Sequence, residues 1–492
     1  MKPNILMIMV DQMRFDCLSI AGHSVVETPN LDQLALQGVR FTNAYSATPT
    51  CVPARAAVLT GMSQKSHGRV GYQDRVPYNY SHLLPEEMSQ AGYHTQAVGK
   101  MHVSPTRNLC GFHNVILHDG YLHHNRMKDT PVHESFDHTD DYLPWLRERL
   151  GGHRDLTDLG LDCNASAMSR PWHLPEEYHP TNWVVTQSID FLRRRDPSKP
   201  FFLKMSFVRP HPPFDPPQVY FDYYMGLDID EPVIGDWAND MDEFQEGLIP
   251  TAGGGNVPKQ RLKRARAAYY ALIAHIDDQI GRFIQSLIEY KVYDNTVILF
   301  VSDHGELLGD HHLLRKSLAY EGSAKVPFIL ADPGNQLGLK KGSTCGKVVE
   351  LRDIMPSLLD AANIPIPKSV EGKSILPLAK NEESGWREYL HGEHAHGRQS
   401  HHFIVNGKEK FIWYSQTGEE QFFNLEEDPY ETKNLINQQA YAQRINAFRQ
   451  LLIKELEERE EGYTDGMRLI VGRLIVGQQQ PQVVLQNSKN NI

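Results

Sequence analysis

The sequence predicts an α/β fold, in which a large mixed β-sheet is sandwiched between helices and a smaller α+β subdomain follows at the C-terminal end. Continuous apolar runs at residues 4–10 and 296–302 are typical of strands that are covered on both faces. Helical segments lie between such runs, and the longest, at 261–290, carries an apolar stripe. After about residue 375 the apolar runs are short and separated by turn residues, which predicts antiparallel strands.

Taken in order, the main domain is predicted to alternate between strands and helices. Strands are expected at residues 4–10, 39–45, 95–98, 200–208, 296–302 and 326–330, and helices at 28–36, 56–60, 84–91, 183–194, 261–290 and 351–361. Residues from about 103 to 195 otherwise show little periodicity. We expect long loops and short helices there, over one face, where substrate specificity often lies.

The C-terminal part is predicted to form a separate small unit. Short runs at 389–390, 403–405, 410–414 and 421–423 indicate strands, and 440–458 indicates a helix. We therefore expect a main α/β/α domain at 1–375, an antiparallel-sheet-plus-helix subdomain at 376–460 and an extended tail at 461–492. The tail contains two copies of Arg-Leu-Ile-Val-Gly, at 468–472 and 473–477. Such an apolar, strand-prone tail favours pairing with a sheet edge or a neighbouring subunit, and so a homo-oligomer.

Composition narrows the classes of function. The 492 residues carry a net charge of −11, which argues against a broad nucleic-acid-binding surface but allows a local basic pocket for an anion. The five cysteines are odd in number and without a spacing pattern, so no disulfide framework is expected. No run approaches the roughly 20 apolar residues of a membrane span. The N-terminal run lacks a small-residue cleavage site, so we expect a cytoplasmic location without a membrane partner.

The segment around Cys51 is the leading candidate for chemistry. It lies between a turn-rich stretch at 46–50 and a short apolar helix closed by Gly61, a residue typical of a helix C-cap. Cys51 is therefore expected just before a helix start, with Pro53 in the first turn. A nucleophile at that place is close to free backbone N–H groups, which suit an anion. A small buried hydrophobic cysteine is the alternative.

Two acidic residues, Asp11 and Asp303, directly follow buried strands of the predicted sheet. Gln12 and His304 follow them in turn. Because open α/β sheets place their chemistry at the carboxyl ends of strands, these oxygens and the imidazole are candidate ligands of a divalent cation. Taken alone, either aspartate is more often a helix N-cap or a turn former than a metal ligand.

Four basic residues complete the candidate set. Lys100 and His102 follow a predicted strand at positions i and i+2, so both can point to the same side of an extended segment. His211 and Lys316 follow other elements. Each of the four, taken alone, is also typical of a surface residue or of a hydrogen-bonded histidine.

The order of these segments along the chain resembles that of the formylglycine sulfatases of the alkaline-phosphatase superfamily. The matching segments span nearly the whole chain and are 4–12, 28–32, Cys51-x-Pro53-x-Arg55, Gly99-Lys100-x-His102, His211-x-Pro213-Phe214, Ser302-Asp303-His304-Gly305, Lys316-x3-Tyr320-Glu321-Gly322 and Phe423-Asn424-Leu425. The resemblance implies a sulfatase-like fold and a sulfuric ester hydrolase. It also implies that Cys51 is oxidised to formylglycine by a formylglycine-generating enzyme, and that the hydrated aldehyde is the nucleophile.

The resemblance further implies a metal centre. Asp11, Gln12, Asp303 and His304 would bind one divalent ion, with the modified Cys51 completing its shell. Ca²⁺ is favoured, and Mn²⁺ and Mg²⁺ are the alternatives, because hard oxygen ligands suit all three ions.

The same resemblance implies roles for the basic residues. Arg55 would hold the formylglycine, and Lys100 and Lys316 would bind the sulfuryl oxygens. His102 would remove the proton of the second hydroxyl group, and His211 would assist the leaving group together with Lys316. The substrate would be a small aryl sulfate or sulfated sugar.

Two metal-binding pairs depart from the usual family pattern. Many members carry Asp-Asp and Asp-Asn where this chain has Asp11-Gln12 and Asp303-His304, and the latter pairs resemble those of choline sulfatases and phosphonate monoester hydrolases. A phosphonate monoester or phosphodiester hydrolase is therefore the alternative function, and a non-catalytic sulfate-binding relative is a third. The retained Lys100 and His102 favour sulfate monoesters. The His-rich stretches at 121–126 and 391–396 are candidates for a polar sugar pocket, with solvated loops as the alternative.

Overall fold

The computed structural model describes residues 2–120, 139–151, 164–238, 253–382 and 385–475, and they contain two β-sheets. The main sheet comprises β1 (Asn4–Asp11), β2 (Gly38–Tyr45), β3 (His94–Gly99), β4 (Asn114–Leu117), β5 (Phe201–Pro210), β6 (Thr296–Ser302), β7 (Phe328–Ala331) and β8 (Ser343–Glu350). The second sheet comprises β9 (Leu390–His394), β10 (His401–Val405), β11 (Glu409–Tyr414) and β12 (Glu420–Asn424).

Helices connect and cover these strands. In the described residues they are α1 (Pro29–Leu36), α2 (Cys51–Thr60), α3 (Gln64–His67), α4 (Leu84–Gln90), α5 (Tyr142–Leu150), α6 (Pro180–Arg194), α7 (Gln218–Met225), α8 (Lys259–Glu289), α9 (Glu321–Ala324), α10 (Ile354–Ala361), α11 (Leu376–Ala379) and α12 (Ala442–Leu456). Among them, none has the length and apolar character needed to cross a membrane.

The main sheet is mixed, as the sequence predicts. Its strand order is β4-β3-β5-β1-β6-β7-β2-β8. β7 runs antiparallel to both of its neighbours, and every other adjacent pair is parallel. The two edge strands, β4 and β8, are not among the strands predicted from the sequence. β4 has only four residues and the first half of β8 is polar, so neither shows the long apolar run of an inner strand.

The central strand β1 explains why the sheet has helices on both faces. All eight of its residues are buried. Because successive side chains of a strand point to opposite faces, alternate residues of β1 enter two separate apolar cores: Leu6, Ile8 and Val10 enter one, and Ile5, Met7 and Met9 enter the other. α1, α6 and α8 complete the first core, and α2, α4 and α10 complete the second. The predicted sandwich of a mixed sheet between helices is therefore confirmed.

The smaller second sheet is antiparallel, with the order β12-β11-β10-β9. One of its faces packs against α12 and the other against the main domain. The buried Lys410 of β11 links the two parts, because its Nζ lies 2.6 Å from a carboxylate oxygen of Glu321 in α9. The expected boundaries at 375 and 460 stay predictions.

The tail is described only as far as residue 475. There the amide of Gly472 donates to the carbonyl of Ser415 at 2.9 Å, so the first repeat returns to the second sheet. The side chains of Met467 and Leu474 are 80% and 79% exposed. The end of the second repeat lies outside the described residues, and the homo-oligomer stays a prediction.

An aspartate from another helix caps the N-terminus of α1. Asp277 of α8 accepts from the backbone amides of Asn30 at 3.0 Å and Leu31 at 2.8 Å, and from the Asn30 side chain at 2.9 Å. Helix N-termini leave backbone N–H groups without intrahelical partners. This long-range cap therefore satisfies two of them and fixes α1 against α8.

We expect Asp277→Ala to lower the free energy of unfolding by about 1–3 kcal/mol, because buried N–H groups of α1 lose their acceptor. Chemical denaturation followed by circular dichroism measures this change. Glu289→Ala, at the exposed end of the same helix, is the matched control and should stay within about 0.5 kcal/mol of the wild-type value. Equal effects of the two substitutions would contradict the capping role.

Candidate active site

Helix α2 carries Cys51 to the end of the main sheet. Cys51 is the first residue of α2 and not, as expected, the residue before it, because the first helical bond already joins the Ala54 amide to the Thr50 carbonyl at 3.1 Å. Gly61 ends the helix with a φ of 65°, which confirms the expected C-cap. The thiol of Cys51 therefore lies at the N-terminal end of α2, where partial positive charge is concentrated.

The neighbouring strands β1 and β6 bring the predicted acidic residues together. Val10 pairs with Ser302, so the residues that follow, Asp11 and Asp303, leave the sheet at the same edge. The backbone amide of Gln12 donates to Oδ1 of Asp303 at 3.1 Å. This adjacency follows from the parallel pairing, in which the carboxyl ends of both strands meet at one edge.

Four predicted metal ligands form one buried cluster. The candidate ligand atoms of Asp11, Cys51, Asp303 and His304 all lie within 4.8 Å of one another. Two carboxylates, an imidazole and a sulfur position that a modified residue can fill make a donor set suited to a divalent cation. The residues present therefore fit the ion that the sequence predicts.

Cys51 is surrounded by charged and polar groups. Its Sγ lies 3.2 Å from His304 Nε2, 3.7 Å from Asp11 Oδ1 and 3.8 Å from Lys100 Nζ. Burial and the Asp11 charge raise the pKa of the thiol, but Lys100, Lys316 and His304 outweigh them and hold this pKa well below its usual value. The environment therefore stabilises negative charge at this position.

Arg55 fixes the geometry from within α2. It lies one helical turn after Cys51 and is only 1% exposed. Its Nε donates to Asp303 Oδ2 at 3.0 Å, and its Nη1 donates to the Lys100 carbonyl at 3.0 Å and to Ser206 Oγ at 3.1 Å. The guanidinium thus ties α2 to β5, to β6 and to the segment after β3.

Lys100 and Lys316 both contact predicted metal ligands at the end of β1. Lys100 pairs with Oδ2 of Asp11, and Lys316 donates to the side-chain oxygen of Gln12. Burial raises the pKa of Asp11, but Lys100, His211, Arg55 and Lys316 together hold this pKa well below its usual value. Asp11 is therefore ionised, and two ammonium groups lie beside the nucleophile position.

Glu306 is a further residue of the candidate site, and it is not among the residues predicted from the sequence. Its Oε2 accepts from the Gln12 side-chain amide and from Ser166 Oγ at 2.9 Å, and its Oε1 accepts from the Leu308 amide at 2.9 Å. Because Glu306 accepts from the amide nitrogen of Gln12, the orientation of this amide is fixed and its oxygen accepts from Lys316. Its position directly after Asp303-His304-Gly305 was the signal that could have identified it.

Four residues of this site have a left-handed backbone conformation. Gln12, His102, Arg315 and Ser317 have φ angles of 71°, 55°, 69° and 86°. Non-glycine residues seldom adopt this left-handed region, and strained residues cluster at sites whose surroundings hold them in place. These four positions therefore belong to a rigidly held assembly.

His102 and His211 lie outside the metal cluster, and each has its own neighbours. His102 Nε2 is 3.4 Å from Asp74 Oδ1 and 3.5 Å from the Tyr72 hydroxyl. His211 Nδ1 lies 2.8 Å from the Pro212 carbonyl oxygen, which can only accept. His211 therefore carries its hydrogen on Nδ1 and presents an unprotonated Nε2.

A cavity of about 310 Å³ opens above Cys51. His211 and Lys316 line one side of it, and His394 and His396 from the second sheet line another. The expectation that 391–396 contributes to a polar pocket is thus confirmed for the end of this stretch. The other His-rich stretch, 121–126, lies outside the described residues.

A second group of potential ligands lies on the opposite face of the second sheet. It consists of His391, Glu393 and His402. Arg459 already binds both carboxylate oxygens of Glu393, at 2.6 and 2.8 Å, and His391 Nε2 lies 3.2 Å from His402 Nδ1. These side chains satisfy one another, so the group is a structural hydrogen-bonded network.

Two protein-family models match this chain, and known proteins are similar to it. A family model described as Sulfatase matches residues 3–364, and one described as N-sulphoglucosamine sulphohydrolase, C-terminal, matches residues 309–459. An arylsulfatase from Clostridium perfringens is 59% identical over 472 residues, which are 96% of this chain and 98% of that protein. A choline-sulfatase from Rhizobium meliloti is 30% identical over 88% of this chain and 82% of its own.

A solved structure agrees with these relatives. The phosphonate monoester hydrolase of Agrobacterium radiobacter superposes with a TM-score of 0.73 and is 26% identical. The match covers 98% of this chain and 100% of that one. The fold of the described residues, including the second sheet and its helix, is therefore similar to that of this hydrolase.

We expect Glu306→Ala to weaken the binding of a divalent ion by about 10- to 100-fold, because the Gln12 amide loses the partner that orients it. The concentration of Ca²⁺ or Mn²⁺ that raises the melting temperature half-maximally measures this affinity without an activity assay. Glu371→Ala, which removes a carboxylate near Ser63 and Ser66 instead, is the control and should leave the affinity unchanged. An unchanged affinity in Glu306→Ala would contradict the orienting role.

Proposed function

The chain belongs to the sulfatase family and hydrolyses sulfate esters, and we propose that it does so with a formylglycine made from Cys51 and with one bound divalent metal. One observation carries this proposal. Cys51, the acidic pair Asp11 and Asp303, and the two lysines Lys100 and Lys316 form one buried assembly at the end of the main sheet. This assembly offers a nucleophile, a metal site and cations for the sulfuryl group, and its Cys51 and Lys316 line one cavity.

The position of Cys51 suits an attacking oxygen. When Cys51 is converted, the hydrated aldehyde supplies one hydroxyl group that attacks sulfur and a second that allows sulfate to be expelled by cleavage of a C–O bond. Arg55 and the N-terminal end of α2 hold this position, and Lys100 faces it at 3.8 Å. Orientation of this kind lowers the barrier because the reacting atoms need not be brought together from solution.

The two lysines oppose the charge of the substrate. Sulfuryl transfer, like phosphoryl transfer, depends mainly on positioning and charge stabilisation. We propose that Lys100 and Lys316 bind the sulfuryl oxygens, since their ammonium groups meet the ligands of β1 on the side of Cys51. Their fixed positions stabilise the transition state without reorganisation.

Lys316 is the better proton donor to the leaving group. His211 has its hydrogen directed at the Pro212 carbonyl, and burial, with Lys316 and Lys100, holds the pKa of His211 well below its usual value. A neutral His211 therefore accepts at Nε2 and positions the ester group. Burial also lowers the pKa of Lys316, and a cationic acid with a lowered pKa donates its proton more readily.

His102 has one nitrogen available to act as a base. Asp74 accepts from Nε2, so Nδ1 of the neutral ring is unprotonated, and this buried Nδ1 has no hydrogen-bond partner. Asp119 fixes the segment, because its Oδ1 accepts from the amides of Met101 and His102 at 2.7 and 2.9 Å. We propose that Nδ1 takes the proton of the second hydroxyl group during release of sulfate.

The metal site favours Ca²⁺ and admits Mn²⁺. Asp11, Gln12, Asp303 and His304, with the converted Cys51, would hold the ion. When bound, the ion polarises the sulfate ester and favours the ionised form of the nucleophile. The imidazole of His304 suits Mn²⁺ better than an oxygen-only shell would.

The organic group of the substrate is proposed to be small. The chain's cavity above Cys51 has a volume of about 310 Å³, which accommodates a single ring and not a polymer chain. The likeness to a phosphonate monoester hydrolase keeps a phosphodiester as the second candidate substrate, since the Asp11-Gln12 and Asp303-His304 pairs resemble those of that class. The paired Lys100 and His102 favour the sulfate monoester.

Conversion of Cys51 is directly measurable. When the chain is produced with a formylglycine-generating enzyme, we expect the tryptic peptide of Cys51 to be lighter than its unmodified form by the difference between H₂S and O. Cys51→Ala should lower the turnover of 4-nitrophenyl sulfate by about 10³-fold or more while leaving the melting temperature nearly unchanged. Cys345→Ala, which removes a buried cysteine of β8, should keep full activity. Wild-type activity in Cys51→Ala would refute the mechanism.

The choice between substrates has its own test. The converted enzyme is stripped with a chelator, reloaded with Ca²⁺ or Mn²⁺, and given 4-nitrophenyl sulfate and bis(4-nitrophenyl) phosphate side by side. We expect no turnover after chelation, recovery with either ion, and a kcat/KM for the sulfate that exceeds that for the diester. A higher kcat/KM for the diester would move the chain to the phosphodiester class.

A further inference from the structure

The cavity above Cys51 has a wall that the proposed chemistry does not use. This wall comes from the second sheet and includes His394, Ala395 and His396. Apart from Ala395 and Cys51, the residues that line the cavity have polar side chains. The groups around the organic part of the substrate can therefore form hydrogen bonds, as a hydroxyl-bearing ligand requires.

Among the residues of this wall, His394 has buried ring nitrogens that lack hydrogen-bond partners. It is the last residue of β9, is only 2% exposed, and neither of its ring nitrogens has a hydrogen-bond partner. Within the described ranges, no other residue has two buried side-chain polar atoms without partners. Buried polar groups are nearly always hydrogen-bonded, so this exception calls for a partner from the cavity.

The surroundings of His394 fix both its orientation and its charge. Its ring stacks on that of His401, with centroids 6.4 Å apart, and meets the ring of His396 edge-on at 5.6 Å. Burial, with His401 and His396, holds the pKa of His394 well below its usual value. The neutral imidazole has one donor nitrogen and one acceptor nitrogen, a combination that matches a hydroxyl group and not an anion.

We propose that His394 is a specificity-determining residue, which hydrogen-bonds a hydroxyl group of the organic part of the substrate, and that the preferred substrate is a monosaccharide sulfate. This inference rests on the proposed function, in which Lys100 and Lys316 hold the sulfate beside Cys51, and Cys51 and Lys316 also line this cavity. A sugar ring next to the sulfate carries hydroxyl groups that can satisfy His394. An aryl ring carries none and leaves both nitrogens without partners.

The test compares two enzymes on substrates with and without hydroxyl groups. His394→Phe keeps a ring of similar size and removes both nitrogens. The hydroxyl-bearing substrates are N-acetylglucosamine 6-sulfate and galactose 6-sulfate, and the hydroxyl-free ones are 4-nitrophenyl sulfate and cyclohexylmethyl sulfate. We expect the substitution to lower kcat/KM for the better sugar sulfate by about 10- to 100-fold, the effect of one or two lost hydrogen bonds, and for the others by less than about threefold. Since both enzymes meet the same leaving groups, differences in leaving-group reactivity cancel.

Two further variants distinguish a role of His394 in substrate recognition from a purely structural role. His394→Gln keeps a donor and an acceptor and should recover part of the selectivity, also if His394→Phe fails to fold. His391→Phe changes a histidine of the same strand that faces away from the cavity, toward His402, and should leave the ratio of the two kcat/KM values unchanged.

Three results would overturn the proposal. The first is an equal loss on all substrates in His394→Phe, and the second is no loss on any of them. The third is a wild-type enzyme that hydrolyses 4-nitrophenyl sulfate but neither sugar sulfate. Failure of the underlying function has a different signature, because the converted wild-type enzyme would then hydrolyse no sulfate ester at all.

Discussion

The structure depends on the burial of two carboxylates side by side at the centre of the molecule. Asp11 and Asp303 are both inaccessible to solvent and leave neighbouring strands at the same edge. Two like charges that are shielded from water repel each other strongly. Burying either charge costs free energy unless an opposite charge lies beside it. Arg55 and Lys100 provide this pairing, so the candidate active site is held in shape by charges that also take part in the proposed mechanism.

This constraint explains the arrangement of the other elements. α2 must begin at the end of the sheet, because only there can one of its faces present both Cys51 and, one turn later, Arg55 to the acidic pair. Glu306 accepts a hydrogen bond from the side-chain amide of Gln12, and Asp74 accepts one from the imidazole of His102. The second sheet then closes the cavity with a wall whose polar groups have no task in the transfer of the sulfuryl group.

Much of this arrangement could be predicted from the sequence, for identifiable physical reasons. Inner strands such as β1 and β6 are apolar throughout, and a polar residue directly after them must lie at the sheet edge, so Asp11 and Asp303 were readily placed together. The edge strands β4 and β8 are short or partly polar and gave no such signal. Asp119 orients a backbone segment that is distant in sequence, and no local pattern reveals such a partner. Glu306 directly follows Asp303-His304-Gly305, but its contact with Gln12 joins residues that are distant in sequence. His394 could be suspected only as part of a His-rich stretch, because its missing hydrogen bonds exist only in three dimensions.

The deep burial of Cys51 limits the time at which an enzyme can modify this side chain. The folded chain leaves this side chain 1% exposed, so an enzyme that modifies it must reach it before the surrounding elements close. His304, which lies against its sulfur, is synthesised 253 residues later. At roughly 5–20 residues per second, a ribosome needs on the order of tens of seconds to cover this distance. The order of the segments along the chain therefore gives the nascent polypeptide a period in which the Cys51 helix has emerged while the strand end that will cover it does not yet exist.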